Sequence, residues 1–350
     1  MNVAIVSVQV PFIRGGAEAL AEGLQAALEK SGHKVDLITI PFKWYPASTL
    51  LDCMIMGRLV DLTEVNGERI DLVIALKFPA YYLKHPNKVV WLAHQHRQAY
   101  DLWGTEFGDL HALPEGEFLR ETIAYNDRVF LGETRAIFTI SQLVSDRLKT
   151  YNGLESTPLY HPPPNHGRLH CESYEPFVFY PSRIDSMKRQ RVLVEAAHLL
   201  KSGMRVVIAG QGSAQEEDAL RSMIAGHGLG GRVRLTGRIS DTEKIECYAR
   251  CAAVFFGAYE EDYGYVPLEA FLSHKPVITF GNSGEMVRFM RDGENGYIVE
   301  DASAIADRLD RLAADPQLAR RLGDCGFEMI SQRNITWQNV VESLTGAAHG

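Results

Sequence analysis

Short, nearly uninterrupted apolar runs, each leading through a turn into a helical pattern, constrain this chain more than any other feature. Val3, Ala4, Ile5 and Val6 open the series, and a run without polar alternation is what a parallel strand buried on both faces requires. The following segment aligns Leu20, Leu24, Ala27 and Leu28 on one helical stripe, ends at Ser31, Gly32 and His33, and gives way to a strand at residues 35–40. Strand, crossover helix and parallel strand form a βαβ unit. Strands expected at residues 71–76, 88–92 and 136–140, separated by segments long enough for crossover helices, make the first half a doubly wound α/β domain.

His161, Pro162, Pro163, Pro164 and Asn165 interrupt this pattern, because consecutive prolines continue neither a helix nor a central strand. The expected organisation is a first domain over residues 1–165, a linker at 166–176, a second α/β domain over 177–335 and a final helix at 336–350 that crosses back to the first domain. In the second domain strands are expected at 177–180, 205–209, 233–236, 253–257 and 276–280, with helices at 241–250, 309–322 and 337–344. A chain of 350 residues with 46% hydrophobic and 23% charged side chains builds two ordinary cores. Its formal charge of −8 argues against a nucleic-acid binder that works by neutralising phosphates.

The five cysteines are scattered and form no CxxC pair, so neither a disulfide framework nor a zinc site is expected, and a reducing, cytoplasmic setting fits. Cys247 and Cys251, four apart, are expected to share a helix face. His161, His166 and His170 read as a solvated linker rather than a metal tract. No basic leader precedes the first strand, and no apolar run reaches the roughly 18 residues of a membrane-spanning helix.

The stretch at residues 260–300 carries most of the chemistry. Glu261 and Glu269 have seven residues between them, around the loop Tyr263, Gly264 and Tyr265. Pro267 suits the first turn of a helix, where a missing N–H costs nothing. In that register Glu269 is expected in the first turn, beside the unpaired amides and the positive end of the dipole, where an anionic ligand can also dock. Pattern alone leaves two readings open, a helix-capping glutamate in an acidic loop or a ligand site.

Arg183 and Lys188, between the strand at 177–180 and the next helix, offer a planar fork and a point charge to one anion. Gly210, Gln211 and Gly212 lack the third glycine and the acidic residue of a dinucleotide fingerprint, which excludes a dehydrogenase reading. Gly15 and Gly16 form a strand-to-helix turn, a weak signal alone. His94 and His96 follow the strand at 88–92, at the end where open α/β sheets present ligand groups, without an acidic or thiol neighbour to complete a metal set. Trp91, Tyr100, Trp103 and Phe107 crowd the same region, with core packing their default role, and residues 101–117 read as a loop that forms a lid or acceptor wall.

The order of Glu261, seven residues, Glu269, a helix, the strand Pro276-Val277-Ile278, the Ser283-Gly284-Glu285 turn and the turn from Asp292 to Gly296 resembles the donor site of retaining glycosyltransferases of family 4, which have the GT-B fold. The resemblance covers nearly the whole second domain and touches the first only through Gly15-Gly16 and His94. It implies two Rossmann-like domains facing across a cleft, and transfer of a sugar from a nucleoside-diphosphate sugar to a glycan, lipid-linked or small-molecule acceptor, with retention and without a metal or further cofactor. Arg183, Lys188 and the Gly16 amide would meet the donor diphosphate. Gly210 and Gly212 would lie at the nucleotide, with Arg238 and Ile239 bracketing the base.

The resemblance further implies that Gly264, Tyr265 and Val266 line the donor pocket, that Glu269 holds the ribose hydroxyls and that Glu261 holds those of the transferred sugar. His94, or His96 with the register slipped by two, would face the reacting sugar. Catalysis would thus rest on Glu261, His94, Arg183 and Lys188, with no protein nucleophile identified. Val266 departs from the family's frequent proline and leaves the sugar open. A cytoplasmic enzyme, with or without peripheral contact at the inner face of a membrane, is the implied setting. The competing classes are a GT-B epimerase or phosphorylase, a glycosidase using the two glutamates, and a non-catalytic sugar-nucleotide-binding subunit.

Overall fold

The computed structural model describes residues 1–348. The chain divides into two compact units, Met1–His161 with Ile335–Gly350, and Pro162–Asn334. Unit 1 runs through β1 (Asn2–Gln9), α1 (Gly16–Lys30), β2 (Lys34–Pro41), α2 (Ser48–Leu59), a two-stranded ribbon of β3 (Glu64–Val65) and β4 (Glu68–Arg69), β5 (Leu72–Lys77), β6 (Lys88–His94), α3 (Gly116–Leu131), β7 (Ala136–Thr139), α4 (Gln142–Asn152) and β8 (Thr157–Pro158). The main strands pair in the order β2-β1-β5-β6-β7-β8, all parallel. Ile5, fully buried, pairs with Leu37 on one side and Ile74 on the other.

The expected crossover helix between β5 and β6 is absent. The chain returns through a 3-10 turn at Ala80–Tyr82 whose two tyrosines are completely buried. Lys88, also buried, fastens that turn by donating to the carbonyls of Tyr81 (2.9 Å), Leu83 (3.0 Å) and Phe130 (3.0 Å). Burial pulls its ammonium down to about 8.

Unit 2 contains β9 (Glu175–Pro181), α5 (Gln190–Leu199), β10 (Arg205–Ala209), α6 (Ala214–Gly226), β11 (Val233–Leu235), α7 (Asp241–Arg250), β12 (Cys251–Phe256), α8 (Tyr265–Leu272), β13 (Val277–Phe280), β14 (Gly296–Val299), α9 (Ala302–Ala314) and α10 (Pro316–Ser331). Its parallel sheet has the order β11-β10-β9-β12-β13-β14. The winding direction reverses between β9 and β12, and in unit 1 between β1 and β5; ligands bind outside the strand C-termini at such reversals. Val178, Ile208, Phe255 and Ile278 of the sheet pack with Leu193 and Leu309 of the helices in one buried core.

Three expectations in this unit are corrected. The single helix at 309–322 is two, because Pro316 has no N–H to continue α9 and instead opens α10, with Asp315 accepting from the Leu318 amide at 3.0 Å. Cys251 begins β12, so it shares no helix face with Cys247. Gly296, read as the last residue of a turn, opens the edge strand β14.

The last helix, α11 (Trp337–Gly346), belongs to unit 1 and packs on α1. Gly23 makes room for it: a Cβ there would lie 2.4 Å from the Trp337 indole. His161 lies beside the same indole (ring centroids 5.6 Å) and that of Trp91 (5.2 Å). It is therefore a core residue, not part of a solvated linker. Burial lowers its imidazole to about 3, so it is neutral. His166 and His170 are exposed. Among the described residues no cluster of three or more His, Cys, Asp or Glu side chains could hold a metal ion, and no helix is long and apolar enough to cross a membrane.

Candidate functional site

Three loops of unit 2 converge at the reversal between β9 and β12, and one arginine ties them together. After β9 the chain passes Arg183 and makes a 3-10 turn at Ser186–Lys188, with Asp185 accepting from the Lys188 amide at 3.1 Å. The buried Tyr180 donates its hydroxyl to the Lys188 carbonyl at 2.7 Å. Arg189 then turns the chain at φ 54° into α5. Its guanidinium donates to the carbonyls of Gly257 and Ala258, to Asn282 Oδ1 (2.8 Å) and to Ser283 Oγ (3.3 Å). The loops after β9, β12 and β13 are thereby held as one body.

Glu261 lies on the middle loop, backed by the turn after β13. The Glu260 amide donates to the Asn282 carbonyl at 2.9 Å, and the Glu285 amide to the Glu261 carbonyl at 3.0 Å. Gly284 (φ 79°) permits this approach, since a Cβ there would lie 2.2 Å from the Glu261 carbonyl oxygen. The Glu261 carboxylate forms an ion pair with Lys188 Nζ, the lysine 16% and the glutamate 32% exposed. Arg183 projects outward, 69% exposed, with its guanidinium 3.4 Å from Asp185. The structure thus joins Lys188 to Glu261, while Arg183 pairs with neither glutamate.

Gly264 (φ 90°) caps α8, and Met286 Cγ would lie 2.5 Å from any Cβ there. Tyr265 and Val266 begin the helix, followed by Pro267. Glu269 is not in the first turn as expected but in the second, with its side chain directed into the protein. Its carboxylate accepts from Lys244 Nζ at 2.7 Å and from the Tyr248 hydroxyl at 2.8 Å, both on α7. Burial raises the Glu269 carboxyl above its ordinary range, opposed by Lys244 and Tyr248. Compensation comes from a side-chain cation rather than the helix dipole. Lys244 and Tyr248, four apart on one face of α7, escaped the sequence reading because nothing local ties them to Glu269.

Gly210 and Gly212 have a packing reason of their own. A Cβ at Gly210 would lie 1.9 Å from the Ser182 carbonyl oxygen, and one at Gly212 2.4 Å from that of Ile184. The glycines let the end of β10 press against the loop carrying Arg183. Arg238 is exposed and Ile239 half-buried in the turn before α7.

In unit 1, Gly16 opens α1 at the C-terminal end of β1, and the Gly15 amide donates to Glu18 Oε2 at 2.7 Å. Glu18 reaches Lys77 at the end of β5, 3.4 Å away. His94 is the last residue of β6, half-buried, with Nδ1 2.7 Å from the Gln95 carbonyl oxygen. His96 packs on Phe78 (ring centroids 5.2 Å), and burial lowers it to about 4, so it is neutral. Between them Gln95 is buried, its amide donating to Asn152 Oδ1 at 2.6 Å.

Behind Gln95 lies Asp127, also missed from sequence: a fully buried carboxylate that accepts from the hydroxyls of Tyr81 (2.9 Å), Tyr82 (2.8 Å) and Tyr100 (2.7 Å). Trp91 and Tyr100 are buried and not exposed for stacking on a ligand. The 101–117 segment contains a short 3-10 turn at Leu110–Ala112, and its last two residues are the first of α3. Its Trp103 is covered by the Arg120 guanidinium at 4.7 Å.

Residues 166–329 match the protein family described as Glycosyl transferases group 1. Unit 2 carries this domain. The matched residues include Arg183, Lys188, Arg189, Lys244, Glu261 and Glu269. Two relatives are the lipopolysaccharide core biosynthesis glycosyltransferase LpsE of Rhizobium meliloti, 31% identical over 165 residues (47% of this chain and 47% of LpsE), and the D-inositol 3-phosphate glycosyltransferase of Nocardia farcinica, 32% identical over 159 residues (43% of this chain and 35% of that protein). The matches therefore span less than half the length of these relatives. Beyond the group 1 domain, the whole architecture is GT-B. Sucrose-phosphate synthase of Thermosynechococcus elongatus matches with a TM-score of 0.80 at 19% identity, covering 99% of this chain and 98% of that one. HepE of Anabaena, solved in complex with UDP-glucose, matches with a TM-score of 0.70 at 16% identity, covering 100% and 99%. At such identities the likeness concerns the fold.

Proposed function

We propose that this chain is a retaining glycosyltransferase of the family 4 type, moving a sugar from a nucleoside-diphosphate sugar to a glycan, lipid-linked or small-molecule acceptor without a metal ion. The observation that carries the reading is the Lys188–Glu261 ion pair at the sheet reversal of a group 1 domain, with Glu269 held in place one helix turn further on. Transfer requires positive potential where the diphosphate departs and hydrogen-bond acceptors for the sugar. Lys188 spends its charge on Glu261 when no ligand is present. A bound diphosphate takes over that ammonium and leaves the Glu261 carboxylate to the transferred sugar's hydroxyls, so the pair holds both groups ready.

Arg183, itself exposed, leaves the half-buried Asp185 for the same phosphates, at little expense because pairs with an exposed partner are worth about 0–1 kcal/mol. The amides of Tyr265 and Val266 at the start of α8 add their dipole, and Glu269 takes the ribose hydroxyls. In unit 1 the candidates are Gly16, which opens α1, and His94, which ends β6. The UDP-glucose bound to HepE favours a uridine nucleotide as the first donor to try.

The test is a thermal-shift panel of UDP-, GDP-, ADP- and dTDP-sugars on the wild type, Arg183→Ala and Lys188→Ala. One nucleotide class should raise the wild-type midpoint and lose that effect in Lys188→Ala. A wild type that responds to none, or a Lys188→Ala variant that responds equally, removes the donor-site assignment. Release of free nucleoside diphosphate only when an acceptor is added then separates transfer from epimerase, phosphorylase and binding-only behaviour.

A further inference from the structure

Away from the donor loops, unit 2 buries a second lysine in an unusual setting. Lys275, in the turn between α8 and β13, is completely buried. Its Nζ donates to the Ser173 carbonyl and to Cys171 Sγ at 3.2 Å, and lies 3.9 Å from the centre of the Tyr174 ring. No carboxylate is within ion-pair distance of it among the described residues. Lys88 of unit 1, buried to a similar degree, has three carbonyl oxygens and, 4.0 Å away, the Glu133 carboxylate. At Lys275 a sulfur stands where an oxygen would be expected, and sulfur is a weak acceptor. What a thiol offers an adjacent amine is covalent chemistry.

The Cys171 side also meets solvent: it is only partly buried and lines, with Tyr174, His274, Arg320 and Asp324, a cavity of about 680 Å³. Tyr174 closes the other side of the pair and is itself anchored, donating its hydroxyl to the His274 carbonyl at 2.9 Å. The two reactive atoms are thus held together by groups on both flanking segments, with a route in for a small oxidant.

We propose that Cys171 and Lys275 form an oxidation-closed cross-link, a sulfenamide staple made by a hydroperoxide. The peroxide O–O bond breaks as one oxygen passes to Sγ, giving a sulfenic acid and, from hydrogen peroxide, one water. Lys275 Nζ, after losing a proton to solvent, attacks the sulfur through its lone pair. The S–O bond breaks, and hydroxide takes up the second proton lost from nitrogen and leaves as another water. Sulfur is oxidised by two electrons, the peroxide is reduced, and the pair ends two hydrogens lighter with an S–N bond. A thiol reductant returns both side chains. The staple ties the segment leading into β9 to the turn that follows the helix bearing Glu269, independently of any sugar transfer.

The full-length reduced protein is treated with a small excess of hydrogen peroxide, its remaining thiols are alkylated, and its peptides are mapped by mass spectrometry. The expected product joins the Cys171 peptide to the Lys275 peptide with the loss of two hydrogens, and disappears with dithiothreitol. Cys171 should lose its alkylatable thiol before Cys325, although Cys325 is the exposed cysteine. In Lys275→Met the cross-link is lost and dimedone traps the sulfenic acid on Cys171.

Closing a loop of 104 residues should also raise the thermal midpoint of the oxidised wild type by about 5–10 °C, and Cys171→Ser should abolish that rise. The Cys171→Ser comparison stands even if Lys275→Met does not fold. The proposal falls if Cys171 stays alkylatable while Cys325 is oxidised, or if no peptide joined to Lys275 appears and the wild-type midpoint is unchanged by peroxide.

Discussion

The two units share a parallel, doubly wound sheet, but two buried carboxylates, Glu269 in unit 2 and Asp127 in unit 1, are compensated in opposite ways. In unit 2 each glutamate of the site has a lysine: Lys188 for Glu261 and Lys244 for Glu269. In unit 1 Glu18 likewise has Lys77, but the fully buried Asp127 of α3 is surrounded by three tyrosine hydroxyls and forms no ion pair among the described residues. Ion pairs can exchange partners with an arriving anion, because the cation is attracted to either. A carboxylate wrapped in neutral donors has nothing to exchange, and serves instead to fix Gln95 and the strand end that carries His94. The Lys188–Glu261 pair is open to such exchange, and the surroundings of Asp127 are not.

That contrast is tested most strongly at Lys244. Lys244→Ala leaves Glu269 buried without its cation and should cost about 3–5 kcal/mol in denaturant unfolding, with the double variant Lys244→Met and Glu269→Gln recovering most of the loss. A loss near zero would mean that Glu269 is already protonated, and the contrast with Asp127 would vanish.

Next comes the pH response of Asp127. Burial raises its carboxyl from 3.8 to about 6 against the hydrogen bonds that favour ionisation. The folded protein therefore holds that proton more tightly than the unfolded chain. This contribution is present in full below about pH 4 and is lost as pH rises to about 6, a change of up to about 3 kcal/mol. Subtracting the stability profile of Asp127→Asn from that of the wild type should leave this fall, with a flat line above it. A difference that rises with pH would show Asp127 to be paired after all.

The exchangeable pair itself is tested by turnover. Lys188→Ala should lower it by about 100-fold, equivalent to about 2.7 kcal/mol, while Arg183→Ala, removing an exposed side chain, lowers donor affinity more modestly. Equal effects on donor affinity and turnover from Lys188→Ala and Glu261→Ala, measured by calorimetry and product release, would contradict their separate roles. Gly284→Ala should cost about 2 kcal/mol, because its Cβ collides with the backbone of Glu261, and should weaken donor binding with it. Gly226→Ala, where no atom lies within 4 Å of the added carbon, should change stability by less than about 1 kcal/mol.

The apolar runs made most sheet strands legible, because a strand buried on both faces must be apolar throughout. The break at 161–165 was legible through its prolines. The role of His161 was not, since its partners Trp91 and Trp337 are remote in sequence. Glu261 and Lys188 could be singled out from local spacing around glycine turns. Arg189, Lys244 and Asp127 could not: each acts through partners brought near only by the fold, and a charged residue on a helix or in a loop reads by default as solvated. The placement of Glu269 in the first turn failed for a related reason. Pro267 is compatible with any position there, and only Gly264 as cap sets the register.

The placement of Trp337 carries a consequence for how the chain is made. Unit 1 needs residues from before and after unit 2, so a growing polypeptide on the ribosome holds β1 through β8 with the groove over Gly23 still empty. Pro162–Asn334 has all its strands before the indole is synthesised. The half encoded second is thus the first able to finish, and the half encoded first waits until Trp337 has been made.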